Sequence, residues 1–190
     1  MRYYYPCKPN PLSPDSRFFA ELDRDISWVA EIKKNGWRCL VYRDTQLTLW
    51  TREKTVINEP LESLRDGLMS VPEQTILDGE LIHFRTTGLK GKLYLFDALM
   101  FKGKILINLP LSDRRKYLEE SISEITDIEI AKQVQLGKRR LYYQAIQEAV
   151  NEGIVLKKLD SRYPVSDRRC LQNPFWLKVK RIEKHIKIGG

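Results

Sequence analysis

Histidine and cysteine are scarce in this sequence, and the scarcity removes whole classes of chemistry. His83 and His185 are the only histidines in 190 residues, which argues against His-based metal clusters and against Ser-His-Asp catalysis. The three cysteines (Cys7, Cys39, Cys170) are widely separated, odd in number and free of any C-x-x-C pair. That argues against a disulfide framework and a zinc site, and it suits a reducing cytoplasm. Apolar runs are short as well. None approaches the length of a membrane span, so no membrane partner is expected, and Met1-Arg2-Tyr3-Tyr4-Tyr5-Pro6 lacks the apolar core of a signal peptide.

What is present fits one folded domain with a sizeable core: 42% of the residues are hydrophobic and 31% are charged, both ordinary for a globular protein. The net charge of +8 is unevenly spread. From Lys132 to Gly190 there are 14 Lys/Arg against 5 Asp/Glu, or +9, while the first 131 residues hold 19 against 20, or −1. Basicity confined to the last third points to a polyanion, nucleic acid or nucleotide phosphate, met mainly from that end. A solvated basic face is the plainer alternative.

Pro6, Pro9, Pro11 and Pro14 mark residues 1–16 as an extended, proline-rich arm. Patterning predicts strands at 28–32, 39–43, 47–51, 75–77, 80–84 and 93–98, with Asp78-Gly79 as a tight turn between two of them. Helical spacing marks 59–69, with Leu61, Leu64 and Leu68 on one side, 111–122, capped by Ser112, and 138–151. Strands at 128–134, 154–157 and 175–179 complete a single mixed α+β domain without repeat or linker.

The chemistry starts at Lys33-Lys34-Asn35-Gly36-Trp37-Arg38, which places an amine at a tight turn leaving a strand. Alone this is an ordinary hairpin signal. Matching segments follow in order: Leu49-Trp50-Thr51-Arg52, Leu77-Asp78-Gly79-Glu80-Leu81, Tyr94-Leu95-Phe96-Asp97, Glu152-Gly153-Ile154-Val155-Leu156-Lys157 and Trp176-Leu177-Lys178-Val179-Lys180. Lys178 and Lys180 share one face of a strand by period-two alternation, and like charges so placed repel unless an anion lies between them.

In this order, over about residues 12 to 181, the blocks resemble the nucleotidyltransferase (adenylation) domain of ATP-dependent DNA ligases, in the superfamily shared with RNA ligases and mRNA capping enzymes. The resemblance implies an ATP-grasp-like fold, with mainly antiparallel sheets flanked by helices, and ATP as AMP donor with Mg²⁺ or Mn²⁺. It makes Lys33, two positions before Asn35, the nucleophile that forms lysyl-AMP; Lys34 is the alternative amine. A free lysine titrates near 10.4, so neighbouring cations and a metal would have to depress it. The resemblance assigns Lys178 and Lys180, joined by Lys157, to the triphosphate, and Arg38 and Arg52 to ribose and phosphate. Glu31 and Ile32 would line the base pocket, Gly36 would let backbone approach the nucleotide, and Glu80 and Glu152 would orient the ribose or hold the metal. For Phe96, stacking on adenine and plain core packing both stand open.

Asn35 departs from the usual Asp, and about ten residues follow the last block. The expectation is therefore an adenylation domain over 1–190 without an OB-fold domain, with a possible protein partner supplying that grip. The spellings Leu77–Leu81, Phe96-Asp97 and Pro110-Leu111-Ser112-Asp113-Arg114-Arg115 favour nicked or broken DNA over RNA as substrate. An RNA ligase, a stand-alone adenylyltransferase needing a partner and a non-catalytic nucleic-acid-binding module remain the alternatives.

Overall fold

The computed structural model describes residues 1–57, 62–82, 91–123, 125 and 127–182. In chain order its elements are β1 (Lys8–Pro11), α1 (Arg17–Leu22), β2 (Trp28–Lys34), β3 (Trp37–Arg43), β4 (Leu47–Thr51), α2 (Glu62–Met69), β5 (Thr75–Ile82), β6 (Lys92–Phe101), β7 (Lys104–Ile105), α3 (Leu111–Ser121), β8 (Ile128–Ile130), α4 (Lys138–Ala145), β9 (Asn151–Lys158) and β10 (Gln172–Lys180). They form two sheets, β1-β10-β9-β2 and β4-β3-β5-β6-β7, with β8 beside β6. All pairings are antiparallel except β1–β10 and β6–β8. The mixed α+β architecture with mainly antiparallel sheets agrees with the sequence reading.

Side-chain alternation assigns each strand face to a layer. On the first sheet, Ala30, Ile154, Leu156, Leu177 and Val179 pack against Phe19 and Leu22 of α1 and Tyr142 and Ala145 of α4. On the second, Cys39, Val41, Leu77, Leu81, Leu93 and Leu95 pack against Leu64 and Leu68 of α2 and Leu118 of α3. The alternate residues Leu40, Tyr42, Ile76 and Leu99 meet Trp176 and Tyr163 in a third cluster that joins the two sheets. Residues out of phase with the outer layers therefore face the space between the sheets: Glu31 and Lys33, Val155 and Lys157, Lys178 and Lys180, Arg38, Asp78 and Glu80, Tyr94 and Phe96. The Asn35-Gly36 turn carries the chain from one sheet to the other, since β2 belongs to the first and β3 to the second.

Several expectations are corrected. Asp78-Gly79 is no turn: both residues lie inside β5, at a register shift against β6. The Asp78 carboxylate is fully buried by its pair with Arg38, and a Cβ at Gly79 would stand 2.7 Å from the Tyr94 carbonyl oxygen. The glycine thus permits close sheet packing rather than a reversal. Gly36 also packs closely on protein backbone: a Cβ there would lie 2.5 Å from the Leu81 carbonyl oxygen of β5. Helix 138–151 stops at Ala145, because Asn151 and Glu152 are drawn into β9 opposite β2. Glu152 therefore sits within a strand, not at a helix-to-strand corner. Ser112 does not cap α3; Pro110 precedes the helix, and the Ser112 amide donates to the Leu159 carbonyl. The expected strand at 128–134 shortens to β8, with Val134 bridging separately to Ala30. The proline-rich arm contributes β1. Pro9 and Pro11 alternate with Lys8 and Leu12, whose amides donate to Leu171 just before β10 and to Lys178 within it, so the missing N–H groups fall on the free edge. Residues 59–61, His83, Phe84 and His185 lie outside the described residues.

Candidate active site

Two cavities adjoin between the sheets and differ in character. One, of about 360 Å³, has an apolar wall of Ile32, Tyr94, Phe96, Ile130, Val155 and Trp176. The other, of about 610 Å³, is ringed by Lys8, Lys33, Arg38, Arg52, Lys178 and Lys180 together with Glu53, Glu80 and Glu152. Lys33, Arg38, Glu80 and Pro9 border both.

Lys33 of β2 lies opposite Gly153 of β9, at the register shift before Lys34, and Lys180 of β10 pairs with the same glycine from the other side. That register brings both amines to the Glu152 carboxylate: Lys33 Nζ is 2.9 Å and Lys180 Nζ 2.5 Å from Glu152 Oε2. Burial would raise the Glu152 carboxyl, but hydrogen bonds from Lys180 and Lys33 outweigh it and hold the group below the usual glutamate range. Lys178 has no carboxylate within salt-bridge distance among the described residues; burial, then the nearby Lys180 and Lys33, push its ammonium down. Lys34 points elsewhere. Its Nζ stands 4.6 Å from the centre of the Tyr94 ring and borders only the apolar cavity.

The second sheet supplies the opposite wall. Arg38 and Glu80 are cross-strand neighbours on β3 and β5. The Arg38 guanidinium makes a two-pronged pair with Asp78 at 2.5 Å, Asp78 also accepts the Tyr163 hydroxyl at 2.5 Å, and the guanidinium carbon lies 4.8 Å from the Phe96 ring centre. Burial raises the Glu80 carboxyl above its ordinary range, against the opposing pull of Lys33 and Arg38; Glu80 Oε1 accepts the Gly36 amide at 3.2 Å.

Each residue expected to be catalytic, nucleotide-binding or metal-binding borders one cavity or the other. Glu31, Ile32, Phe96 and Lys157 line the apolar one, Arg52, Glu152, Lys178 and Lys180 the polar one, and Lys33, Arg38 and Glu80 both. Lys157 parts from Lys178 and Lys180. It lies opposite Trp176 in register, its Nζ pairs with Glu31 Oε2 at 2.6 Å beneath the apolar cavity, and both side chains are almost wholly buried. Glu31 Oε1 also accepts from the Gln133 amide. Phe96 is only half-buried and presents its ring to the cavity. Arg52 is exposed and pairs with neighbouring Glu53 at 2.7 Å. Sequence reasoning missed Lys8, Trp37, Tyr94, Asp78, Tyr163 and Gln133. For Tyr94 and Asp78 the signal was available, since each precedes a singled-out residue, Phe96 or Glu80, by two and so shares its strand face, and Trp37 adjoins Arg38; Lys8, Tyr163 and Gln133 reach the site through long-range pairing that spacing does not report.

A family model for the ATP dependent DNA ligase domain matches residues 85–180, half of the chain. The chain belongs to this family. Among relatives of this ATP-dependent DNA ligase domain, a DNA ligase from Archaeoglobus fulgidus is 36% identical over 91 residues, which cover 44% of this chain and 16% of that protein. The ligase domain of M. tuberculosis LigD superposes with a TM-score of 0.62 at 24% identity, over 80% of this chain and 53% of that one. The ATP-dependent DNA ligase of bacteriophage T7, solved in complex with ATP, gives a TM-score of 0.61 at 18% identity, over 93% of this chain and 68% of that one. At these identities the two structures establish a shared fold. The chain spans about a sixth of the archaeal ligase and about half of the mycobacterial domain.

Proposed function

We propose that the chain is the adenylation domain of an ATP-dependent polynucleotide ligase acting on nicked or broken DNA. One observation carries this: the Lys33 amine stands where an apolar, aromatic-walled cavity meets a cleft rich in cations. A purine suits the first, whose volume lies within the usual range for small-molecule sites, and a triphosphate suits the second. The nucleotide would then span the junction with its α-phosphate at Lys33. The family membership and the ATP bound by the T7 relative support the same reading.

Lys33 Nζ first sheds one ammonium proton to solvent, and the neutral amine then attacks the α-phosphorus. The N–P bond forms as the P–O bond to the β-phosphate breaks, pyrophosphate leaves with that electron pair, and the amine proton moves toward Glu152 Oε2, the nearest carboxylate oxygen. Lys178 and Lys180 neutralise the phosphate charge, and Arg38, held by Asp78, fixes the nucleotide at the junction of the cavities. AMP then passes to a 5′-phosphate end, and a neighbouring 3′-OH displaces it. Glu80 and Glu152 border the polar cleft, while no cluster of three or more His, Cys, Asp or Glu that could cage a metal occurs among the described residues. That donor set suits Mg²⁺ or Mn²⁺ held largely by phosphate oxygens and water. Such a cation would supply charge neutralisation on the transferring phosphoryl group.

The test is incubation with Mg²⁺ and ATP labelled on the α-phosphate, followed by intact-protein mass spectrometry. The wild type gains one AMP mapping to Lys33, Lys33→Ala gains none, and Lys34→Ala retains the label. Labelling of Lys33→Ala would overturn the assignment.

A further inference from the structure

Lys8 has no place among the ligase-like blocks, yet β1 delivers it to the polar cleft. The Lys8 amide donates to the Leu171 carbonyl at 2.8 Å, and Lys8 is in register with Gln172 at the start of β10. The next residue, Pro9, borders both cavities, so the arm closes one side of their junction. The cations of the cleft are unequally satisfied. Arg38 pairs with Asp78, Arg52 with Glu53, and Lys33 and Lys180 share Glu152. Among the described residues, Lys8 and Lys178 have no carboxylate within salt-bridge distance. They lie on adjacent strands and border the same cleft. Lys8 stands opposite Gln172 and Lys178 opposite Pro11, so the two amines enter the cleft from different points along the β1–β10 pairing, and a phosphate group is the anion that two unpaired cations in one cleft would admit.

We propose that Lys8 and Lys178 form a pyrophosphate subsite, in which Lys8 of the N-terminal strand grips the terminal phosphates of the nucleotide and then the departing pyrophosphate. Lys8 is a binding and positioning residue and takes no part in bond making at Lys33. This rests on the adenylation reading for its biological ligand, but its physical content is an affinity for pyrophosphate. The side chain is exposed and makes no ion pair, so Lys8→Ala leaves the backbone pairing of β1 untouched.

The experiment is calorimetric titration of the full chain with inorganic pyrophosphate, beside the adenylation assay. Lys8→Ala is expected to weaken pyrophosphate binding about tenfold, the scale of one charge-assisted contact, with Lys8→Arg restoring most of it. In adenylation, Lys8→Ala raises the KM for ATP far more than it lowers kcat. Wild type and Lys8→Ala binding pyrophosphate equally, or a wild type that binds none, would overturn the subsite. A Lys8→Ala variant that adenylates normally but fails only in joining DNA ends would assign Lys8 to the polynucleotide phosphate instead and overturn it too. Should the wild type take no AMP while the tenfold difference in pyrophosphate binding persists, the adenylation reading fails and the subsite stands.

Discussion

Arg114 with Asp97, and Lys33 and Lys180 with Glu152, are both charge clusters inside one small domain, but they are built to opposite ends. In the first, both side chains are fully buried and the accounts close: Arg114 meets both oxygens of Asp97 at 2.8 and 2.9 Å and the carbonyls of Leu109 and Ser161 at 2.7 Å. That network ties α3 to β6 and to the loop after β9. In the second, one carboxylate serves two ammonium groups, and the surrounding cavity presents six basic side chains against three acidic ones. A closed network holds a shape; a surplus of cations in a cleft between sheets is tolerable when an anion completes it.

The contrast is broken most severely by removing one partner of the closed network. Arg114→Leu leaves the Asp97 carboxylate buried without its counter-ion, and the expected loss is about 3–5 kcal/mol, seen as a fall in Tm of roughly 10 °C or more. AMP uptake per folded molecule should be unchanged, measured at a temperature where the variant remains native. Glu152→Gln should do the reverse. The amide cannot take the amine proton and leaves Lys33 and Lys180 without a shared counter-charge, so adenylation slows by about a hundredfold while the fold persists. The pH dependence checks the cause. Because the folded carboxyl is held low, its contribution to stability is complete above the ordinary glutamate range and is lost as pH falls through the folded value. The Tm values of wild type and Glu152→Gln should therefore differ at pH 7 and converge at strongly acid pH.

The same two clusters show what could be read from the chain. Lys178 and Lys180 were legible because strand alternation is local: two residues apart means one face. Asp97 and Arg114 stand out in the sequence only as family spellings, and nothing in their separation announces a buried pair. Asp78-Gly79 misled for a related reason. The dipeptide favours turns, yet the pairing of Asp78 with Arg38 on the neighbouring strand outweighs that local preference. The helix ending at Ala145 repeats the lesson, because apolar spacing continues to Ala149 while β2 claims Asn151 as a strand partner. Glu31 and Lys157 lie far apart in sequence and meet only because β2 and β9 adjoin. Local periodicity carries the faces of strands; which strands adjoin decides which charges meet.

The smallest expected effect separates function from stability at one residue. Glu80 borders both cavities, and burial raises its carboxyl above the ordinary range despite the nearby Lys33 and Arg38. A raised folded value means that ionised Glu80 burdens the native state. The burden is fully present above the folded value and vanishes below the unfolded value of about 4.3, where both states are protonated. Glu80→Gln removes the charge while the amide oxygen can still accept from the Gly36 N–H. Its Tm at pH 7 is expected to rise by about 1–3 °C, and the advantage should shrink to nothing as the pH is lowered to about 4. On the proposed reading adenylation should meanwhile weaken, because a carboxylate bordering both cavities has been lost. Thermal unfolding from pH 4 to pH 8 beside AMP labelling checks both halves. A Tm that falls at pH 7 would place Glu80 with the closed, shape-holding charges of the Arg114 kind rather than with the cleft.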